Sequence, residues 1–205
     1  MRVIASLAAC VALTATASAA QITTFTNSNV SSIMQQAGAT NLTSGKEGNV
    51  SFVDFDYKGV SFRATLRLCD EGTSSNCEGV LFATAFESDA ADSLDIVNGF
   101  NAAFPIMSAS KPDSKTLAFT RFVLASGGIQ DVNVAGNFGL LIAAPGIYAE
   151  FRKSQVVAMN GAGGVVQLSQ PTGAAPALKP VKLTTQQWSR VMPQEPSKAS
   201  LQLHK

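Results

Sequence analysis

Val80-Leu81-Phe82-Ala83-Thr84-Ala85-Phe86 decides the fold. The run is apolar at both alternating sets of positions, so as a strand it belongs inside a sheet with a covering layer on each side. Upstream, aromatic and β-branched residues alternate with polar ones from Asn49 to Leu68 on either side of Tyr57-Lys58-Gly59, the pattern of a hairpin. Phe52, Phe62, Ala64, Leu66 and Leu68 are the expected buried face of that hairpin. A short strand is predicted before it at 40–44, ending at Gly45. Earlier still comes a helix opened by Asn27-Ser28-Asn29, with Val30, Ile33, Met34 and Ala37 on one face and Gly38 at its end.

Downstream of the central run, a helix is predicted over 90–104, with Ile96, Val97, Phe100, Ala103 and Phe104 in one arc and Pro105 as its stop. Two strands at 106–110 and 115–124 flank the turn Pro112-Asp113-Ser114. After Gly127-Gly128, Val132, Ala135, Phe138, Leu141, Ile142, Tyr148 and Phe151 fall near helical spacing, and Pro145 predicts a kink or break in that last helix. The order α-β-β-β-β-α-β-β-α is that of an α+β domain with an antiparallel sheet and packed helices.

The two ends of the 205-residue chain read differently from this middle. Arg2, an alanine-rich apolar stretch from Val3 to Ala15, and the small-x-small triplet Ala17-Ser18-Ala19 form a cleavable signal peptide over 1–20, which places the mature protein in the periplasm or outside the cell. Its removal takes Cys10 and leaves Cys69 and Cys77, in Cys69-Asp70-Glu71-Gly72-Thr73-Ser74-Ser75-Asn76-Cys77. An even pair in an oxidising compartment, separated by turn-forming residues, predicts a structural disulfide across a loop. Beyond residue 20 no further apolar run of bilayer length is evident, so no membrane span is expected.

Residues 21–152 carry a net charge of −5, whereas 153–205 carry +5 and hold five of the eight prolines. The expected organisation is therefore a domain over 22–152 followed by a flexible basic tail over 153–205, rich in Pro, Gly and Gln and dispensable for folding. The alternative to a solvated tail is a loose contact with the domain's own acidic surface, anchored by Trp188, the only tryptophan.

The composition excludes several chemistries. One histidine, His204, cannot build a histidine-based triad or a multi-histidine zinc site. A net charge of +1 offers no field for a polyanion, and Arg63 and Arg67, on one face of a strand, are ordinary surface rather than a nucleic-acid patch. Asp54 and Asp56 also share a strand face; with no third ligand nearby they read as solvated, as do Asp70, Glu71 and Asn76 of the cysteine loop. No cofactor is expected. Asn98 and Asn101, three apart beside the apolar arc of their helix, are the most specific polar pair and the candidate binding residues. Their amides either satisfy backbone groups of the adjoining strand or line a groove for a ligand or peptide backbone, and the demand of a half-buried amide for partners favours the first.

Four features in order resemble the YbjN-domain family of bacterial sensory transduction regulators: the cysteines bracketing the loop before the central strand; Asp95-Ile96-Val97-Asn98-Gly99-Phe100-Asn101-Ala102-Ala103-Phe104, similar to the family's asparagine-and-aromatic pattern; a strand pair about an acidic turn at Asp113; and Gly127-Gly128 before the closing helix. Phe100 stands where many relatives carry tryptophan. The resemblance spans about 22–152 and implies a fold similar to type III secretion chaperones, which commonly act as dimers and bind extended polypeptide. The chain departs from the family in its export signal and basic tail, and with no catalytic constellation in view the expected function is a non-catalytic exported module that holds peptide or protein segments, as a homodimer in the manner of those chaperones. The alternative is a small-ligand sensor or accessory enzyme, which a deep pocket with convergent polar groups would mark.

Overall fold

The computed structural model describes residues 21–70, 73–160 and 178–192. The sheet is built first by the hairpins. Strands β2 (Thr40–Glu47), β3 (Val50–Tyr57), β4 (Val60–Arg67) and β5 (Gly79–Glu87) run antiparallel in sequence order, and β7 (Thr116–Leu124) and β6 (Ser108–Asp113) complete a six-stranded sheet ordered β2-β3-β4-β5-β7-β6. Tight turns at Gly48 and at Lys58-Gly59 use positive φ angles, which the glycines adopt without strain. A two-stranded ribbon of β1 (Gln21–Ile22) and β8 (Ile129–Gln130) lies apart from the sheet. This is the α+β antiparallel architecture expected from the hydrophobic pattern.

Three helices cover one face. Helix α1 (Asn27–Gln36) starts one residue earlier than its asparagines suggest, because Thr26 and Asn29 form a reciprocal cap. Helix α2 (Leu94–Ala103) is capped by Ser93, and α3 (Asp131–Asn160) crosses the middle of the layer. Phe138 of α3 touches the rings of Phe55, Tyr57, Phe62 and Phe82, while Phe100 of α2 meets Phe104, Phe119, Tyr148 and Phe151. These edge-to-face and tilted contacts form the centre of the main core.

Several sequence expectations change. Helix α3 runs through Pro145 without a break and continues well past 152. The missing donor leaves the Leu141 carbonyl without its helical partner, but Leu141, Ala144 and Tyr148 are all buried, so packing on both sides of the proline holds the helix together. Residues 131–155 of α3 are long and apolar enough to cross a membrane, yet this helix lies on the sheet as the central core helix. Phe52 does not share a face with Phe62, Ala64 and Leu66: the register pairs Phe55 with Phe62 and Val53 with Ala64, which puts Phe52 on the other side of the sheet with Arg63 and Thr65. Leu68 lies beyond β4 with φ of 51°, so the strand alternation no longer applies to it.

The largest difference is at the C-terminal end. Residues 178–192 are part of the packed structure. They pass along β5 and form helix α4 (Thr185–Val191) on the sheet face opposite α1, α2 and α3. Leu183, Trp188, Val191 and Met192 are buried there in a second apolar cluster with Ala83, Ala85 and Ala118. A boundary at 152 thus falls inside α3, and the tail contributes one of the two layers that the central strand requires.

Candidate functional site

The outer sheet face is shaped by small residues and by rings lying over glycines. The register aligns Arg63 with Ala83 and Thr120, and Ala85 with Ala118, so the middle of this face is a trough of short side chains. At its margins, a Cβ on Gly45 would lie 2.4 Å from the Phe52 ring and one on Gly79 would lie 2.6 Å from the Phe122 ring. Glycine is needed at both positions because the aromatic ring of a neighbouring strand occupies the space.

Within this trough the central polar group is Arg63, 3% exposed. Its Nε and Nη2 donate to the two carboxylate oxygens of Asp54 at 2.7 Å each, a bidentate pair. The guanidinium lies 3.8 Å from the Phe52 ring centre and 5.4 Å from that of Trp188. Arg63 was expected at the surface; α4 buries it, and its cross-strand register with Asp54 supplies the partner that makes burial tolerable. Arg67 is buried on the same face.

The C-terminal segment reaches this centre by pairing as a strand. The β4–β5 ladder ends at Phe62 and Thr84, and beyond it the Glu87 N–H donates to the Lys179 carbonyl at 2.8 Å while the Val181 N–H donates to the Ala85 carbonyl at 3.0 Å. Thr184 and Gln187 then form a reciprocal cap for α4, whose Trp188 packs into the trough, and the Thr65 hydroxyl faces the Met192 sulfur. Basic side chains of the segment stand against acids of the sheet. Lys179 pairs with Glu87 at 2.5 Å. Hydrogen bonds from Ser61 and Asn41 hold Asp56 below the ordinary carboxylate range, and Lys182 adds to that shift. The backbone N–H of Lys115 does the same for Asp113, with Arg190 contributing.

The residues singled out from sequence occupy other places. Cys69 and Cys77 are disulfide-bonded, closing the loop that leads from β4 to β5, with the Phe25 N–H bonded to the Cys77 carbonyl. The pairing is consistent with an extracellular location. Asn101 uses both ends of its amide on one residue of β6, donating to the Ala109 carbonyl at 2.9 Å and accepting from the Ala109 N–H at 2.7 Å. It fixes α2 to the edge of the sheet, while Asn98 stands exposed on α2. Asp54 is paired with Arg63 and Asp56 with Ser61 and Asn41, so the two carboxylates do not converge. Among the described residues no group of three His, Cys, Asp or Glu side chains is placed to hold a metal ion.

A second buried polar cluster ties α2 to α3. Asp92, fully buried, accepts from the Tyr148 hydroxyl at 3.0 Å, from Arg152 Nη1 at 2.8 Å and from the Asp89 N–H at 2.9 Å. Burial, and then the adjacent Asp92 charge, push the Tyr148 phenol above its ordinary range. Every member has a partner, which makes this cluster a structural tie between layers.

No protein-family model matches the chain, and no curated protein matches it. Among solved structures it is similar to the crystal structure of YbjN, a proposed transcription regulator from E. coli, with 11% identity, a TM-score of 0.43, and coverage of 67% of this chain and 96% of that one.

Proposed function

We propose that the protein is a non-catalytic, exported binding module that holds peptide segments on the outer face of its sheet. The observation that carries this reading is the seating of residues 179–192: they add to β5 through backbone hydrogen bonds and then lay an amphipathic helix into an alanine-lined trough. Strand addition followed by helix-in-groove docking are two general ways in which proteins take up peptides. The chain's own segment is then a resident occupant, tethered at a local concentration in the millimolar range and exchangeable with a partner segment.

Export rests on the signal-like pattern of residues 1–20, which lie outside the described residues, together with the disulfide. N-terminal sequencing of the mature protein should begin near residue 20.

Occupancy is tested by a peptide of residues 178–192 offered to the full-length chain carrying Trp188→Ala. That chain has no tryptophan, so the peptide indole reports binding alone. A saturable blue shift and a rise in anisotropy are expected. An indole that stays solvent-like at every concentration would remove the proposal.

A further inference from the structure

We infer, on the basis of the peptide-holding reading above, that the outer face selects one chemical class of segment: a cationic strand that turns into a short helix carrying an aromatic side chain, with Arg63 as the residue that reads the aromatic. The selectivity follows from how Arg63 is used. Its Nε and Nη2 donate to Asp54 at 2.7 Å and its Nη1 faces Glu47 Oε2 at 4.0 Å, so the donor edges of the guanidinium are turned toward acids of the sheet. What the guanidinium offers an occupant is its planar π surface, and the Phe52 ring 3.8 Å away already contacts it. An aromatic side chain placed there gains a cation–π contact in a site closed to water, which an aliphatic side chain of equal size lacks. The resident Trp188 sits 5.4 Å from the guanidinium and is 3% exposed.

The charge requirement has a separate origin. Lys179 pairs with Glu87 at 2.5 Å where the segment joins β5. A segment with an acid at that place would meet a like charge. The spacing is set by the backbone: Lys179 and Val181 bond to Glu87 and Ala85, and the aromatic follows nine residues after the lysine. The partner is therefore a segment of another protein with a lysine or arginine at the strand, a helix cap, and an aromatic on the first turns of the helix.

The test uses the full-length Trp188→Ala chain as host and titrates it with the 178–192 peptide. A version with leucine in place of the tryptophan is assayed by competition against the parent peptide. The parent should bind, and the leucine version about tenfold more weakly. Changing the host further by Arg63→Lys, which keeps the charge opposite Asp54 but loses the planar group, should bring the two peptides within about threefold of each other. Parent and leucine peptides of equal affinity would overturn the selectivity and leave the binding reading standing. If neither peptide binds, both fall. Should the Trp188→Ala host fail to fold by circular dichroism, Trp188→Phe, which also lacks an indole, replaces it; the parent peptide must then displace a resident phenylalanine, or the inference is lost. A wild-type chain that light scattering shows to be a dimer exchanging 178–192 between copies would make the second copy the occupant and overturn the hetero-partner assignment.

Discussion

Asp92 shows most directly how single side chains bind the layers together. Its carboxylate is fully buried and is neutralised by Arg152, with Tyr148 and the Asp89 backbone taking up its remaining acceptor capacity. Removing one member of such a pair leaves a buried charge uncompensated. Asp92→Ala should therefore destabilise the protein by about 3–5 kcal/mol in urea unfolding, whereas Asp95→Ala, on an exposed site of α2, should change it by less than about 0.5 kcal/mol. Tyr148 adds a pH signature. Its phenol titrates higher in the folded protein than in the unfolded chain, where it titrates near 10. Its contribution is complete below pH 10 and declines as pH rises above it, and Tyr148→Phe should abolish that part of the alkaline decline. Asn101→Ala would strand both backbone groups of Ala109 and should cost about 1–3 kcal/mol. The asparagine was legible as an amide in search of a partner. Asp92 was not, because its partner Arg152 lies sixty positions away.

At the scale of elements, α4 and the outer face depend on each other. Rising salt should shift the Trp188 emission to the red, because the Lys179–Glu87 pair is screened while the apolar contacts are not. Acid should do the same. Asp56 and Asp113 both titrate below 3.8, so their favourable interaction with the docked segment is present above that pH and lost as pH falls through their folded values. An emission maximum unmoved as pH falls from 6 through the lowered titration range of both carboxylates would show that α4 is held by apolar contact alone. Gly45→Ala drives a methyl group into the Phe52 ring and should loosen Trp188 through displacement of Phe52 and Arg63, a change visible in the same emission.

Over the whole molecule, the C-terminal segment changes from an appendage to a structural layer. Truncation after residue 177 removes the buried side chains of Leu183, Trp188, Val191 and Met192 and uncovers Arg63. The truncated protein should lose about 2–4 kcal/mol of stability in chemical denaturation, the burial of those side chains being partly offset by the conformational freedom the segment regains. A truncated protein as stable as the full chain would show that the segment is an exchangeable cover and nothing more. Intact-mass measurement after alkylation without reduction should find no free thiol at Cys69 or Cys77 in material taken directly from its native compartment.

The local patterns were sufficient for the six strands of the main sheet and for α1, α2 and α3, since a strand period of two and a helical period near 3.6 depend only on neighbours in sequence. The run from Val80 to Phe86 already required two covering layers. The identity of that second cover was not legible. Residues 178–192 contain too few apolar positions to declare a core segment by period, and they become one only because the sheet supplies a trough, free backbone groups at Ala85 and Glu87, and acids at the right places. Arg63 was misread for the same reason: on an isolated strand it is solvated surface, and its burial is decided by a helix more than a hundred residues later in the chain. Sequence by itself determined the succession of strands and core helices along the chain and the paired cysteines. The face on which the chain closes over itself, and the charged and aromatic groups that meet there, were decided by tertiary structure, because contacts between distant segments depend on register and on the depth of the surface that the folded sheet presents.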